Sequence, residues 1–255
     1  MPNLAADFYH KDSGDILSYN AMASAGYSTI GLKVSDGAAG NWGTFVQAES
    51  ARVVQVGMDL IAYHWLQPNE QTDDQVSNFL AQVQQCAKLP DYLAVDFEWT
   101  YDSNGNDIWA TLPPATMAGK LINFANGVYS QFASLYPGPS APSGTPGPVS
   151  TPPIPTAAVP LVVYAAPGFW NPFWAAIDHD TRIAVITALN GGSLAPGVFT
   201  VDPTKCRLWM ADYSGGTTCP APFDPFAAVW LWQYTESGTI PGFAAQGGGD
   251  ISVFE

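Results

Sequence analysis

Short apolar runs alternate with longer amphipathic segments along most of this 255-residue chain, and this alternation limits the folds open to it. Apolar runs separated by helical patterns are typical of parallel strands joined by crossover helices. Eight runs are predicted strands: residues 4–9, 27–34, 58–65, 91–99, 161–165, 207–211, 229–234 and 250–254. Eight strands close a parallel α/β barrel.

Helical signals fall between the first five strands and directly after the fifth. The clearest begins at Thr72, where Thr72 and Gln75 form a capping-box pattern ahead of apolar residues at helical spacing. The helical segments are residues 16–25, 45–56, those from 72 onward, 116–135 and parts of 169–202. The sequence therefore predicts an α/β fold, a modified TIM-like barrel in which five strand–helix units are followed by three closing strands.

Residues 137–160 interrupt this pattern, because they consist mainly of Pro, Gly, Ser and Thr. Such a segment forms neither a helix nor a central strand. Two domains divided at this point are one interpretation, since structureless segments of this length are uncommon inside a compact domain. A single barrel over residues 1–255 with an insertion at about 137–160 is preferred, because neither side alone has enough strands to bury its apolar faces.

The chain is strongly acidic, with 22 Asp and Glu against 8 Lys and Arg, a formal net charge of −14 and a pI near 4.2. This balance argues against nucleic acid or an anionic membrane surface as a partner, because both require a basic footprint. No apolar stretch is long enough to insert into a membrane. Aromatic residues make up 13% of the chain, which favours a carbohydrate ligand, although ordinary core packing explains most of them.

Three cysteines are too few for a disulfide framework, and no Cys/His cluster has the spacing of a zinc site. Neither a metal nor a cofactor is predicted. Pairing of Cys206 with Cys219 stays open, although the odd count favours a reduced compartment. The N-terminus lacks the basic start and apolar stretch of a signal peptide, so synthesis in the cytoplasm is expected.

The run at residues 91–99 ends in two carboxylates, Asp96 and Glu98, separated by one residue. The side-chain period of two places both on one side of a strand, with backbones about 6.6 Å apart. Paired carboxylates at the end of a barrel strand are suited to acid and base work on a glycosidic bond. The pattern is weak alone, because composition predicts about 0.3 occurrences of Asp-x-Glu by chance.

The ends of the eight strands together resemble glycoside hydrolase family 25, the phage-type N-acetylmuramidases or lysozymes, across essentially the whole chain. The residues that carry the resemblance are Asp7, the turn at 33–37, Tyr63 and His64, residues 96–98, Tyr164, residues 209–213, residues 232–235 and residues 249–251. Three features depart from the family pattern: Ser35 and Asp36 stand where Thr-Glu is usual, the Pro-rich segment is longer, and residues 175–205 are expanded. These put the substrate range in doubt more than the chemistry.

The resemblance implies cleavage of the β-1,4 bond between N-acetylmuramic acid and N-acetylglucosamine in peptidoglycan. By position, Glu98 matches the proton donor and Asp96 its partner carboxylate, with Asp7 and Asp250 as supporting carboxylates. The predicted substrate-binding residues are Tyr63, Tyr164, Trp209, Tyr213, Gln233 and Lys33. The expected partner is the peptidoglycan glycan strand, and a monomer is expected.

Structural roles compete with several of these assignments. In the structural alternative, Asp7 caps a helix after the first strand. Lys33 is either a buried counter-ion for the carboxylates or a lysine at a strand end without a role in the site. Trp209 and Trp232 fit a barrel core as well as a sugar platform. His64, behind Tyr63 in an apolar strand, is interpreted as a buried structural histidine.

In the expected mechanism Glu98 keeps its proton near neutral pH while Asp96 stays anionic. Retention of configuration with participation of the substrate acetamido group is expected, although the spacing of the two carboxylates does not separate retention from inversion. The alternatives are a wall-binding module without activity and a chitinase-like glycosidase. A phage endolysin, a virion lysin and a bacterial effector all fit, each acting on the wall after release by a holin, a virion or a secretion system.

Overall fold

The computed structural model describes residues 3–135, 161–245 and 248–255, and all nine strands within these ranges belong to one sheet. The strands are β1 (Leu4–Phe8), β2 (Tyr27–Asp36), β3 (Gly40–Asn41), β4 (Asp59–Trp65), β5 (Tyr92–Asp96), β6 (Leu161–Ala165), β7 (Cys206–Ala211), β8 (Leu231–Gly238) and β9 (Gly249–Phe254). The helices are α1 (Tyr19–Ser24), α2 (Gly43–Gln55), α3 (Thr72–Val83), α4 (Pro114–Leu135), α5 (Pro167–Ala176) and α6 (His179–Leu189). Two 3₁₀ helices lie at His10–Gly14 and Trp109–Thr111.

Eight of the strands close into a barrel. Their order is β1-β9-β8-β7-β6-β5-β4-β2, and β1 also pairs with β2, so no edge remains between the first and last strands. Within the barrel, β9 runs antiparallel to both of its neighbours, β8 and β1. The other neighbouring pairs are parallel: β1–β2, β2–β4, β4–β5, β5–β6, β6–β7 and β7–β8. The short β3 pairs only with the end of β2. Five strand–helix units followed by three closing strands were predicted, and this architecture is confirmed.

The side chains of β5 show how the strands divide their two faces. Leu93, Val95 and Phe97 point outward into the main core between barrel and helices, whereas Ala94 belongs to the barrel interior. Asp96, two residues after Ala94, therefore faces inward at the end of the strand. The interior cluster is small and consists of Ala5, Ile61, Tyr63, Ala94, Val162, Trp209 and Leu231.

Gly31 leaves room in this interior for two larger neighbours. A Cβ atom on Gly31 would lie 2.7 Å from Cβ of Asp7 and 3.2 Å from Cη2 of Trp209. Because side chains in a packed interior do not approach so closely, a residue without a side chain is required here for Asp7 and the Trp209 ring to occupy their positions.

Three local predictions differ from the structure. β5 ends at Asp96 rather than at residue 99. The amide of Phe97 makes the last bond toward β6, to the carbonyl of Tyr164, and the Phe97 ring packs in an aromatic cluster. β8 continues to Gly238, four residues beyond its predicted end. Helix α4 begins at Pro114, two residues earlier than predicted, because proline is favoured in a first helical turn.

The predicted capping box is also wrong. Gln71 is the N-cap of α3, and the Gln75 side chain turns to the loop before the helix instead of to the helix start. Its Nε2 donates to the carbonyl of Gln67 at 2.9 Å, and its Oε1 accepts from the amide of Gln67 at 2.8 Å. Satisfying these buried backbone groups outweighs a cap at a helix end.

Residues 137–160, the predicted insertion, lie outside the described residues. Cys86, Cys206 and Cys219 are free thiols. Among the helices that the structure describes, none has both the length and the apolar character needed to cross a membrane.

Candidate active site

Two of the four predicted carboxylates are direct neighbours at the mouth of the barrel. Asp7 in β1 pairs in register with Asp250 in β9. Residues directly opposite each other on antiparallel strands have Cβ atoms about 4.5–5.5 Å apart. The antiparallel direction of β9 thus brings the last of the four predicted carboxylates beside the first.

The other two carboxylates come from β5. Asp96 is its last residue, and Glu98 follows two residues later, while Phe97 between them is buried on the opposite side. Asp96 is paired in register with Tyr164 of β6 and with Trp65 of β4. All four acids therefore lie where the carboxyl ends of the parallel strands meet, as predicted.

Burial and mutual repulsion act on Asp7 and Asp96. Burial is the main cause that raises the pKa of Asp7 well above its ordinary value, and the charges of Asp250 and Glu98 raise it further. Burial likewise raises the pKa of Asp96 well above its ordinary value, followed by the charge of Glu98. These interactions show that the four groups lie close enough to influence one another.

Glu98 and Asp250 reach values near neutrality. Burial raises the pKa of Glu98 to about 7, against the opposing charge of Lys33 and with support from Asp250 and Glu236. Burial also raises the pKa of Asp250 to about 7, although a hydrogen bond from the Gln233 side chain lowers it. A carboxyl group with a pKa near 7 holds a proton at neutral pH and releases it readily, which general acid catalysis requires.

Burial acts against the anionic form of Asp96, and the anionic role expected for Asp96 stays a prediction. Asp96 is 7% exposed, and its pKa is displaced in the same direction as that of Glu98. Interacting carboxylates lose their protons in steps that belong to the pair rather than to either residue. Protonation of Asp96 and protonation of Glu98 are therefore linked, because burial and neighbouring negative charge raise the pKa of both groups.

Lys33 supplies positive charge beside this cluster. Its ammonium nitrogen lies 2.9 Å from Asp36 Oδ2 and 3.6 Å from the centre of the Trp65 ring. The charge of Lys33 lowers the pKa of both Asp96 and Glu98, which opposes the effect of burial. A contact between Lys33 and a substrate stays a prediction.

The predicted tyrosines line the same mouth. The Tyr63 hydroxyl donates to Asp7 Oδ1 at 3.4 Å, and the hydroxyl groups of Tyr164 and Tyr213 are 3.4 Å apart. Tyr213 is 43% exposed, so its ring is accessible to a ligand from solvent. Trp209 is only 2% exposed and makes edge contacts with the rings of Tyr63 and Tyr164. The structure therefore places Trp209 in the interior packing that supports these tyrosines, rather than on an open sugar platform.

Several buried polar atoms at the mouth have no hydrogen-bond partner within the described part of the chain. They include Asp7 Oδ2, Asp96 Oδ1 and Gln233 Oε1. An unpaired buried acceptor is costly, and such groups are rare outside functional sites. These three acceptors are suited to hydroxyl and amide donors of a bound ligand.

The sequence alone did not single out Asp12 and Glu236. Asp12 lies in the 3₁₀ helix after β1 and raises the pKa of Asp7, and Glu236 lies in the extension of β8 and raises the pKa of Glu98 and Asp250. The position of Asp12 shortly after the first predicted strand is visible in the sequence. The true end of β8 was needed to recognise Glu236.

His64 lies on the outer face of β4 and is not part of the mouth. Its ring stacks on Phe124 at 5.0 Å and bonds to Ser35 Oγ at 2.8 Å and Gln75 Oε1 at 3.1 Å. Because Gln75 Oε1 only accepts, Nε2 of His64 carries the proton and the Ser35 hydroxyl donates to Nδ1. Burial lowers the pKa of His64 to about 4, which agrees with a structural histidine.

An eight-stranded barrel with clustered acids, tyrosines and unpaired acceptors at the carboxyl ends of its strands has the architecture of a barrel-type hydrolase site. Acids with a pKa near 7 beside other carboxylates provide the groups that glycoside hydrolysis uses.

The full-length fold is that of family 25 glycosyl hydrolases. One such protein from Bacillus anthracis has a TM-score of 0.62 at 15% sequence identity, with 99% of this chain and 88% of that chain covered. A bacterial lysozyme from Streptomyces coelicolor has a TM-score of 0.62 at 17% identity, with 100% and 93% covered. The modular autolysin LytC from Streptococcus pneumoniae, in complex with a synthetic peptidoglycan ligand, has a TM-score of 0.60 at 10% identity, with 99% and 46% covered.

No family model matches the sequence, and the comparison with curated proteins finds no match. The resemblance that the strand-end residues predicted is therefore supported by the three-dimensional structure, which shows a shared fold.

Proposed function

We propose that the protein is a peptidoglycan hydrolase, an N-acetylmuramidase that cleaves the β-1,4 bond between N-acetylmuramic acid and N-acetylglucosamine. The observation that carries the proposal is the placement of Asp96 and Glu98, with the neighbouring pair Asp7 and Asp250, at the mouth of a barrel with the fold of family 25 glycosyl hydrolases. Burial, which raises the pKa of Glu98 to about 7, supports it as the proton donor. The peptidoglycan ligand of the autolysin neighbour supports this choice of substrate.

In the proposed reaction Glu98 donates its proton to the glycosidic oxygen as the bond to the anomeric carbon breaks. The released sugar leaves as an alcohol, and Glu98 is left as a carboxylate. Water then enters, Glu98 removes a proton from it, and the oxygen of the water bonds to the anomeric carbon. Glu98 thus recovers the proton that it gave up.

Asp96 assists at the sugar whose bond is cut. Its Oδ1 has no partner among the described residues, and its pKa is raised, so it is a better proton acceptor than an ordinary aspartate. We propose that Asp96 accepts the N–H of the substrate acetamido group while the acetamido oxygen attacks the anomeric carbon. When the water attacks, the bond between the acetamido oxygen and the anomeric carbon breaks and the acetamido group is restored. The two displacements together retain the configuration, and proton NMR of the first-formed anomer distinguishes this route from inversion.

The tyrosines and Gln233 hold the glycan across the mouth. Tyr213 offers an exposed ring on which a sugar stacks, and Gln233 Oε1 accepts from a sugar donor. Trp209 acts from the interior by supporting Tyr63 and Tyr164. Because peptidoglycan lies outside the bacterial membrane, the proposal includes delivery of the protein to the wall after its synthesis.

Mass spectrometry of the products from purified peptidoglycan tests the proposal. N-acetylmuramic acid at the new reducing ends is the expected result, because that sugar holds the anomeric carbon attacked. Reducing-end N-acetylglucosamine would contradict the assigned bond, and cleavage of chitin oligomers without action on peptidoglycan would indicate a chitinase-like enzyme. Binding to peptidoglycan without any cleavage would indicate a wall-binding module.

A further inference from the structure

We propose that Lys33 is a positioning residue whose ammonium group, held by Asp36 and the face of Trp65, determines which acids at the barrel mouth carry negative charge and so sets the pH range in which Glu98 acts. This inference rests on the proposed function, since it concerns the regulation of the same site. It assigns Lys33 a role different from direct substrate binding.

The position of Lys33 is fixed on two sides. Its nitrogen lies 2.9 Å from Asp36 Oδ2 and 3.6 Å from the centre of the Trp65 ring, and the residue is 6% exposed. Asp36 is itself held, because Gln67 Nε2 donates to its Oδ1 at 2.6 Å. A lysine side chain has many rotamers in solution, so these contacts place the charge where a free lysine would not stay.

Strand register explains why this charge reaches the catalytic pair. Lys33 in β2 pairs with Tyr63 in β4, and two residues further along β4 Trp65 pairs with Asp96 in β5. Trp65 therefore contacts the ammonium group on one side and neighbours Asp96 across the sheet on the other. The ion pair with Asp36 occupies one direction of the ammonium group, and the ring of Trp65 excludes water from another.

Other charged and titratable groups surround the same acids. Besides burial, Asp7 in β1 and Asp36 in β2 raise the pKa of Asp96, and Asp250 in β9 and Glu236 in β8 raise the pKa of Glu98. Besides burial, the charges of Asp96 or Glu98 raise the pKa of Tyr63 in β4, Tyr164 in β6 and Tyr213 after β7, and Asp12 in the 3₁₀ helix after β1 acts on Asp7 and Asp250. His10 and His64 also respond to the charge of Lys33. The acids oppose ionisation of Asp96 and Glu98, whereas Lys33 favours it.

Lys33→Met tests the proposal, because it removes the charge and keeps an unbranched apolar side chain against Trp65. Both apparent pKa values of the Asp96–Glu98 pair should rise, and the bell-shaped dependence of kcat/KM on pH should move to higher pH by about one unit. On the acidic limb a shift of one unit corresponds to about a tenfold loss of rate at fixed pH. Lys33→Arg keeps the positive charge, so both limbs of its pH dependence of kcat/KM should lie close to those of the wild type.

Asp36→Asn should act in the opposite direction. The charge of Asp36 raises the pKa of Asp96, so its removal should move the acidic limb to lower pH. Lys88→Met is the matched control: it also removes one ammonium group from an ion pair, but that pair, with Asp91, lies beside the amino end of β5. Its pH profile should coincide with that of the wild type.

Two results would overturn the proposal. One is a Lys33→Met enzyme whose KM rises while both pH limbs stay in place, which would make Lys33 a substrate-binding residue only. The other, decisive if Lys33→Met does not fold, is a Lys33→Gln enzyme whose two pH limbs coincide with those of the wild type.

An activity-independent titration separates failure of this inference from failure of the proposed function. Carbon-13 NMR of labelled glutamate carboxyl groups in the full chain, with Glu98→Gln used for assignment, should give a higher midpoint for Glu98 in Lys33→Met than in the wild type. If no glycan is hydrolysed but this shift is observed, the proposed function fails and the electrostatic role of Lys33 stands. If the glycan is hydrolysed and the shift is missing, the role of Lys33 fails alone.

Discussion

Trp209 donates its indole N–H to the hydroxyl of Ser252 across the barrel interior, at 3.0 Å. Trp209 belongs to β7 and Ser252 to β9, so the bond joins two strands that are separated by β8 in the sheet. Ser252 is two residues from Asp250 on the same strand, and both therefore face inward. The interior packing of Trp209 thus helps to hold the strand that brings Asp250 beside Asp7.

Trp209→Phe is expected to destabilise the protein by about 1–3 kcal/mol, because a buried hydroxyl loses its partner and the smaller ring leaves a cavity. Urea unfolding measures the change. Ser252→Ala and the double variant complete a cycle, in which a coupling energy of about 1 kcal/mol is expected. Purely additive costs would show that the hydrogen bond contributes nothing.

Gly31→Ala should be destabilising by about 1–3 kcal/mol, because the new Cβ would lie 2.7 Å from Cβ of Asp7. The displaced Asp7 should also lower activity on peptidoglycan. Gly119→Ala in α4 is the matched control, since no atom lies within 4 Å of the added Cβ. The control should gain about 0.5–1 kcal/mol from its helical position, and equal effects of the two substitutions would argue against the packing described for Gly31.

Glu98→Gln should fold normally and lower the turnover of peptidoglycan by about 10²–10⁴-fold, because the amide cannot donate the proton that the leaving oxygen needs. Release of reducing ends and circular dichroism measure the two properties. Asp74→Asn, at an exposed position in the first turn of α3, should keep full activity. Wall lysis at the wild-type rate by Glu98→Gln would remove Glu98 from its proposed role.

The melting temperature should rise as pH falls from about 8 to about 6.5. The pKa values of Glu98 and Asp250 are both raised to about 7, so the folded state binds protons in this window that the unfolded state does not. Their contribution to stability is complete below their unfolded values near 4 and is lost as pH rises through about 7. Differential scanning calorimetry should show a rise of about 2 °C or more, and a smaller rise for Glu98→Gln.

Below about pH 6.5 His64 acts in the opposite direction. Its pKa is lowered to about 4, so the unfolded state binds a proton there that the folded state rejects, and stability is lost. His64 therefore offsets about half of the contribution of the two carboxyl groups, and the melting temperature should keep rising between about pH 6.5 and 4, but less steeply than it would without the histidine. A melting temperature independent of pH from 8 to about 6.5 would contradict the raised pKa values of the carboxyl groups.

Tyr213→Ala should raise KM for peptidoglycan about 5–30-fold with a smaller change in kcat, because its exposed ring binds sugar without touching the reacting atoms. Phe199→Ala removes another exposed aromatic ring, from the segment between α6 and β7, and should leave both constants unchanged. A loss confined to kcat in Tyr213→Ala would contradict a binding role.

Strand order and chemical character were readable from the sequence because they depend on local patterns. The apolar runs predicted all eight barrel strands, and the period of two placed Asp96 and Glu98 on the side of β5 opposite Phe97. Asp96 and Glu98 were recognised because they end a predicted strand, whereas Asp7 and Asp250 were recognised through the resemblance to glycoside hydrolase family 25. The structure places these four at the predicted barrel mouth, whereas their catalytic roles stay predictions.

Other features required contacts between distant segments. The side chain of Gln75 bonds to the backbone amide and carbonyl of Gln67 instead of capping α3, and the helical pattern of the sequence gives no sign of this contact. The burial of Trp209 depended on the absence of a side chain at Gly31 in another strand. The displaced pKa of Asp96 depended on how deeply the end of β5 lies in the mouth.

The sequence by itself determined an eight-stranded α/β barrel and the identities of the acids at its strand ends, since hydrophobic periodicity is carried by neighbouring residues. Only the tertiary structure decided that β9 runs antiparallel beside β1, that Lys33 is held between Asp36 and Trp65, and that burial raises the pKa of Asp250 as well as that of Glu98. The physical reason is that desolvation and Coulomb interaction depend on distances through space, which residues far apart in the chain set together.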